Sequence, residues 1–325
     1  MEETNGTSTT EGFHNQSIET TGDAGDTRYS KEENIPELDV SRKDSKIIIS
    51  FDSLTLNDIE DCNRKADYIH NVCIKPVFRN ENSLSIGLMF HAMLQEHYTC
   101  IMRGGIPYSI IKTRALEAGE NWHLKYQRFD TETAESVKEL YLLYSIRYEH
   151  ESWIPLAVEE SFSISFFENE HFRLIATGII DLLVQTRSTP IHPVDHKTHG
   201  RDDPQYRPRE MDNQFRMYMW ATKTWNITVN RAHTDTKDET KRFTRPLLNA
   251  MEGNLEEWRK DKAMRIIQHF LYLQDGYSPM NNKSCAKYGG CPYEKLCNAD
   301  PRDRQYQIQV YYETVPAWDP LKRDE

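Results

Sequence analysis

Apolar positions along the chain follow two rhythms, and the change between them marks its organisation. A short apolar run, Ile47-Ile48-Ile49, precedes Ser53-Leu54-Thr55-Leu56-Asn57-Asp58-Ile59, where a Ser or Thr opens a helix-like segment. Leu88, His91, Leu94, Gln95 and Tyr98 recur at helical spacing over 87–103, a second helical stretch covers 109–128, and a third, 133–148, sets Val137, Leu140, Tyr141 and Tyr144 on one face. The rhythm then shortens: 156–167 and 172–185 are rich in Val, Ile, Phe and Thr, and 191–197 follows Pro190 as a short strand-like run. Three neighbouring antiparallel or mixed strands are expected there. Helical spacing returns over 208–225, a strand over 227–233, and a long amphipathic helix over 255–273, ending near Gly276. The order predicts one α/β domain with a helical cap made from the early helices.

Composition changes the picture mainly at the beginning. Hydrophobic residues make up 38% of the 325, below the roughly 45–50% usual in globular chains. Residues 1–44 hold 11 acidic and four basic side chains among Thr, Ser, Gly and Asn, and are expected to be a disordered acidic tail. The body is expected over 45–300, with a C-terminal extension over 301–325. The whole chain carries −11, of which the tail supplies −7, so acidity does not exclude a nucleic-acid partner; a local patch or a bound metal decides that. The start, Met1-Glu2-Glu3-Thr4, lacks a basic and apolar leader, and no uncharged apolar run nears the roughly 18 residues of a spanning helix. A cytoplasmic chain without membrane contact is expected.

The most informative stretch is Thr177-Gly178-Ile179-Ile180-Asp181, followed after thirteen residues by Asp195-His196-Lys197. Positions two apart on a strand share a face, so Asp195 and Lys197 project together and His196 faces away. If the Asp181 strand pairs alongside, two carboxylates converge, which calls for a cation between them, and hard oxygen ligands suit Mg2+ or Mn2+. A metal beside an ammonium suits phosphodiester hydrolysis. An isolated Asp-x-Lys is ordinarily a turn and a solvated charge. Here Ile179, Ile180, Leu182, Leu183 and Val194 surround the charges, and a carboxylate in a buried strand needs a partner.

At these residues the sequence resembles the PD-(D/E)XK nuclease superfamily, in its RecB-like exonuclease branch, over residues 53 to 300. The Gly-x-x-Asp motif matches Gly178 to Asp181, Asp-x-Lys matches Asp195 to Lys197, Gly-x-x-x-His matches Gly87 to His91, and Gln-x-x-x-Tyr matches Gln214 to Tyr218. Ile180 stands where the superfamily's name has proline. The resemblance implies a restriction-endonuclease-like core, a central mixed sheet flanked by helices. It implies His91, Asp181 and Asp195 as metal ligands, with the His196 carbonyl as a fourth, and Lys197 as the catalytic lysine. On the residues alone, a lone histidine on an apolar helix face is more often a core residue. Gln214 and Tyr218, four apart, share a helix face, so Gln214 is placed to orient Lys197 or a water and Tyr218 to approach the nucleic-acid strand, or they are a surface Gln above a core Tyr. Glu159-Glu160, near the start of the first long strand, are candidates for an outer ligand.

Cys285, Cys291 and Cys297 crowd into thirteen residues, with five-residue gaps in a Gly- and Pro-bearing loop, and thiolates so placed can wrap one metal centre. Resemblance to AddB-type and CRISPR-associated RecB-like exonucleases adds Cys62 as the upstream ligand of a 4Fe-4S cluster that staples the chain ends together. Zinc is the competitor, although the short two-cysteine knuckle it usually prefers is absent. Cys73 and Cys100 read as small buried residues. Arg201, Arg207, Arg209 and Arg216, with Tyr206 and Trp220 between them, offer contacts to phosphates or bases, or form a solvated face over a core Trp.

The resemblance thus implies a Mg2+- or Mn2+-dependent DNA exonuclease of recombination, repair or phage DNA processing, acting on single-stranded DNA or free ends. It would work in the cytoplasm, at the nucleoid, or in a host's cytoplasm if phage-encoded. No Gly-x-x-x-x-Gly-Lys-Ser/Thr loop for ATP is present, so unwinding would come from a helicase or recombination partner. The alternative is a catalytically idle nucleic-acid-binding or scaffold protein on the same fold, stapled by iron-sulfur or zinc.

Overall fold

The computed structural model describes residues 40–43, 46–77, 82–200, 207–236, 238–287, 290–319 and 321. Most of the expected acidic tail lies outside the described residues, as do Arg201 and Tyr206. The last part of that stretch is not tail-like: β1 (Val40–Lys43) pairs antiparallel with β2 (Lys46–Phe51), so the sheet begins before residue 45. No helix among the described residues is long and apolar enough to cross a membrane.

The short period over 154–199 gives β4 (Ile154–Glu168), β5 (Phe172–Gln185) and β6 (His192–His199), and β7 (Asn226–His233) follows later. β5 organises the sheet. Antiparallel β4 runs along its whole length on one edge. Its other edge is shared by parallel β2, over Phe172–Ala176, and antiparallel β6, over Leu182–Val184. β6 then parts from β5 and runs parallel to β7 from Val194 to His199. The sheet therefore forks beyond the Leu182–Val194 pair, and among the described residues 177–181 have no strand on that edge.

Helices cover both faces, because a strand apolar on both sides needs cover on both. The helical rhythm before residue 150 becomes α3 (Asn82–Arg103), α4 (Tyr108–Tyr126) and α5 (Thr131–Arg147). Asp130 caps α5, accepting from the Thr133 N–H at 2.7 Å. These three helices are laid directly on the sheet: Met89, Met93, Trp122, Leu140 and Tyr144 share one core with Leu182, Val184 and Val194. Gln95, next to the buried Leu94 on α3, is exposed.

The opposite face is covered by α6 (Asn213–Thr222) and α7 (Glu252–Gln274), whose Met217, Trp258 and Ile266 pack on Phe51, Leu174 and Ala176. α6 is shorter than the 208–225 its spacing suggests. Arg209 and Asp212 close a turn ahead of it, and Lys223, with φ of 56°, ends it. Before α3, α1 (Ser53–Asp61), α2 (Asn63–Ala66) and a π-turn (Asp67–Asn71) lead to β3 (Ile74–Pro76). The chain's end returns here, as β10 (Tyr312–Thr314) pairs antiparallel with β3 and the Trp318 indole donates to Asp52 at 2.8 Å.

Candidate active site at the fork of the sheet

A fork leaves backbone groups without ladder partners, and buried ones must be satisfied elsewhere. The His196 N–H, just past the last β5–β6 pair, donates to the Asp181 carboxylate at 2.8 Å. The Ile179 carbonyl, on the stretch of β5 that β4 alone flanks among the described strands, accepts from the Tyr218 hydroxyl at 2.7 Å. Side chains thus replace the missing strand, and one of them carries the charge that the motif places there.

Two glycines let the elements close on this point. A Cβ on Gly178 would come within 2.9 Å of the Phe162 ring on β4, and one on Gly87 within 3.0 Å of the Thr198 hydroxyl on β6. The second contact matters more for the site, because it brings α3 down onto β6. One turn later the His91 Nε2 lies 2.7 Å from the His196 carbonyl oxygen, and its Nδ1 lies 3.7 Å from Asp181.

His91, Asp181 and Glu159 each offer a ligand atom within 4.8 Å of the others, the only such group of three among the described residues. An octahedral ion with bonds of ~2.1 Å holds neighbouring ligands ~3.0 Å apart and opposite ones ~4.2 Å apart, so three donors gathered on this scale are a candidate ligand set for one small divalent cation. From the sequence, Glu159 is a candidate for an outer ligand only. It faces Asp181 across the β4–β5 ladder, between the pairs Val158–Leu182 and Glu160–Ile180. Its φ of 52° is left-handed backbone, unusual for a glutamate and of the kind that clusters at functional sites. Its neighbour Glu160 is exposed.

Asp195 does not join the three-donor set. Fully buried, it is paired with Lys197, whose Nζ lies 3.1 Å from Oδ2 and 3.2 Å from Oδ1. The Lys197 side chain is 39% exposed, so the ammonium is held from below and reachable from above. The His196 ring turns away as alternation requires and stacks on Tyr98 at 5.7 Å. Burial pushes its pKa down to about 3, and it is neutral.

Gln214 and Tyr218 do share a face of α6, but Gln214 donates to the Tyr218 hydroxyl at 3.0 Å and Tyr218 is buried. The expectation that this tyrosine approaches a nucleic-acid strand is corrected: its hydroxyl holds β5 two residues before Asp181. Arg216 is also buried, spent on the carbonyls of Glu210 and Asn254, and Trp220 is covered by the Lys223 ammonium at 3.9 Å.

The four cysteines of the expected staple lie on two segments, Cys62 before α2 and the other three in the returning end of the chain, and do not gather into one cluster. Cys62 sits between α1 and α2, where its sulfur accepts from the Asn281 N–H at 3.3 Å. Asn281 and Ser284 both bond the Asp61 carbonyl, and the Cys291 N–H donates to the Cys285 carbonyl at 2.7 Å. Cys291 lies within electrostatic reach of Cys62 and Cys285, and Cys297 of Cys62 and Cys291. Burial raises the thiols of Cys291 and Cys297. Among the described residues no three thiols lie within 4.8 Å of one another, and all six cysteines are free. Cys73 and Cys100 are fully buried.

Residues 54–298 match the family model of the PD-(D/E)XK nuclease superfamily, and the chain belongs to that superfamily. It is a nuclease by family, with a central mixed sheet flanked by helices as the fold. No curated protein matches its sequence. Among solved structures it is similar to the protein SSO0001, at 13% identity and a TM-score of 0.37, over 79% of this chain and 88% of that one. It is similar to a protein from Eubacterium rectale described as a candidate exonuclease, at 9% identity and a TM-score of 0.42, over 70% and 83%. A third likeness is to LHK-Exo in complex with dAMP, at 10% identity and a TM-score of 0.30, over 58% and 97%. Likenesses this weak carry no functional argument.

Proposed function

We propose that this chain is a divalent-metal-dependent DNA exonuclease of the RecB-like branch. The observation that carries the reading is the convergence of His91, Glu159 and Asp181 beside the buried Asp195–Lys197 pair. Three carboxylates and one ammonium leave a local charge of −2, which one divalent cation balances. When bound, that cation supplies Lewis acidity toward a phosphate oxygen and a water. The chain's residues do the rest. Asp195 holds the Lys197 ammonium at the mouth of the site, where it donates to a phosphate oxygen gaining negative charge or steadies the attacking water. The His196 carbonyl, already facing His91, is the remaining backbone oxygen for the ion. Gln214 and Tyr218 act by fixing β5, and hence Asp181.

The same proposal includes a 4Fe-4S cluster rather than zinc, held by Cys62, Cys285, Cys291 and Cys297; what supports it is their order in the sequence and the lack of the short two-cysteine knuckle that structural zinc usually prefers. Bound there, it would tie Cys62 to the chain's end as a structural group.

The test is degradation of end-labelled single- and double-stranded DNA by anaerobically purified full-length protein in Mn2+ or Mg2+, with Lys197→Ala and a chelator as controls. Release of mononucleotides or short products from the ends, lost in both controls, is expected. DNA left intact by the metal-loaded protein would sink the enzymatic reading and leave a binding protein on the same fold.

A further inference from the structure

Behind the site lies a polar chain inside the apolar layer under α3–α5. Arg245, in the connection between β8 (Phe243–Thr244) and β9 (Leu247–Asn249), brings its guanidinium in from the far side of β7. It is clamped between the rings of Tyr148 and Trp153, at 3.5 and 3.7 Å from their centroids, and ion-paired with Glu151 at 2.8 Å. Its Nε donates to Asn230 Oδ1 at 3.0 Å and its Nη2 to the Tyr144 hydroxyl at 3.0 Å. Asn230 Nδ2 is 2.9 Å from His196 Nδ1, and Tyr144 is bonded to Tyr98, on which the His196 ring stacks.

The direction of these bonds is set at one end. Arginine has only donors, so Asn230 must accept with Oδ1 and donate with Nδ2, and His196 must accept with Nδ1. The neutral ring then carries its proton on Nε2. With the ring held by Asn230 and stacked on Tyr98, the backbone of His196 is fixed too, and that backbone reaches both sides of the candidate metal site: N–H to Asp181, carbonyl toward His91. Such a chain is costly unless every member is satisfied.

We propose that Arg245 is a positioning residue for the metal site: acting through Asn230, it locks the His196 ring and thereby holds that residue's N–H on Asp181 and its carbonyl toward His91. The inference rests on the metal-site reading above. Removing a group that orients ligands from behind typically weakens metal binding 10–100-fold, whereas loss of core packing elsewhere lowers stability alone.

The experiment is Mn2+ binding to the full chain, followed by the electron paramagnetic resonance signal of the free ion, well below the unfolding midpoint. Arg245→Lys keeps a charge for Glu151 but lacks the planar fork that reaches Asn230. Ile266→Ala, in the core on the opposite face of the sheet, supplies a destabilised variant remote from the network. Asp181→Asn is the control for the site itself. Mn2+ binding at least about tenfold weaker in Arg245→Lys, and within twofold of wild type in Ile266→Ala, is expected. Wild-type affinity in Arg245→Lys beside lost affinity in Asp181→Asn overturns the inference and leaves the metal site standing. Equal binding by wild type and Asp181→Asn removes the metal site and the inference with it. Should Arg245→Lys fold poorly, ring 15N shifts of His196 decide: the wild-type ring should show a bare Nδ1 and a protonated Nε2, and a ring with the proton on Nδ1 overturns the proposed lock.

Discussion

The fork of the sheet and the cysteine corner are both built from residues far apart in the chain, yet they reach different degrees of completion. At the fork, α3, β4 and β5 bring three ligand atoms within 4.8 Å of each other. At the corner, Cys62 at a helix junction and the three cysteines of a C-terminal loop are not gathered to that distance. Strand ladders fix position along the chain before anything binds. Loops take their final geometry from what they hold. The fork should therefore lose chemistry when it is damaged, and the corner should lose stability.

The largest expected effect is at the fork. Asp181→Asn keeps an acceptor for the His196 N–H but removes one of the converging charges. Cleavage in Mn2+ should fall by at least about 10²–10³-fold. The metal-free protein should be as stable as wild type or more so, because like charges are relieved. A parallel fall in the unfolding midpoint would make the fork a structural element and erase the contrast.

At the corner the order reverses. Cys291→Ser or Cys62→Ser should abolish the visible absorption of the anaerobically purified protein. A loss of about 3 kcal/mol would lower the midpoint by roughly 5–10 °C. Cleavage per folded molecule should stay within about threefold of wild type, since no cysteine lies among the residues of the fork. Colourless wild-type protein with zinc in its place would keep the staple and change its metal.

How much of each region was legible in the sequence follows from the same difference. The charges of Asp181, Asp195 and Lys197 stand out because they interrupt apolar strands, and alternation alone assigns their faces. The glycines of the motifs are explained by Phe162 and Thr198, two contacts that no spacing rule reveals. Glu159 was visible as a carboxylate, but its rank depends on facing Asp181 across a β4–β5 register that only the folded sheet fixes. Tyr218 was misjudged for a related reason: a fork makes a carbonyl on β5 need a donor, and forks are not written in local pattern. Arg245 lies in a stretch with no motif at all. The cysteines advertise themselves by type, while their separation is tertiary.

The identity of the ion gives a smaller effect. Imidazole suits Mn2+ better than Mg2+, which prefers an all-oxygen shell. Half-maximal cleavage should come at an Mn2+ concentration about tenfold below that for Mg2+, and His91→Asn should narrow the gap. Equal requirements in the wild type would mean that His91 stays on the His196 carbonyl and the carboxylates alone hold the ion.

The smallest effect, in pH dependence, tests both regions at once. His97 is on the buried face of α3, with Nδ1 on the Tyr141 hydroxyl at 2.9 Å; His269 lies on α7 beside the corner, with Nδ1 2.8 Å from Asn63 Oδ1. Burial, aided by Arg245 for His97 and by His70 for His269, lowers both to about 4. The unfolded chain takes up these protons below about 6.5, and the folded chain not until about 4, so unfolding binds protons in that window and stability falls on acidification. Each histidine should contribute a slope of about 1.4 kcal/mol per pH unit there, so either His97→Gln or His269→Gln should flatten denaturant-derived stability between pH 6 and 5 by about that amount. If His97→Gln flattens it and His269→Gln does not, His269 is reached by water in the free protein. The corner would then be open until its metal group binds, which is the contrast with the ladder-held fork in its sharpest form.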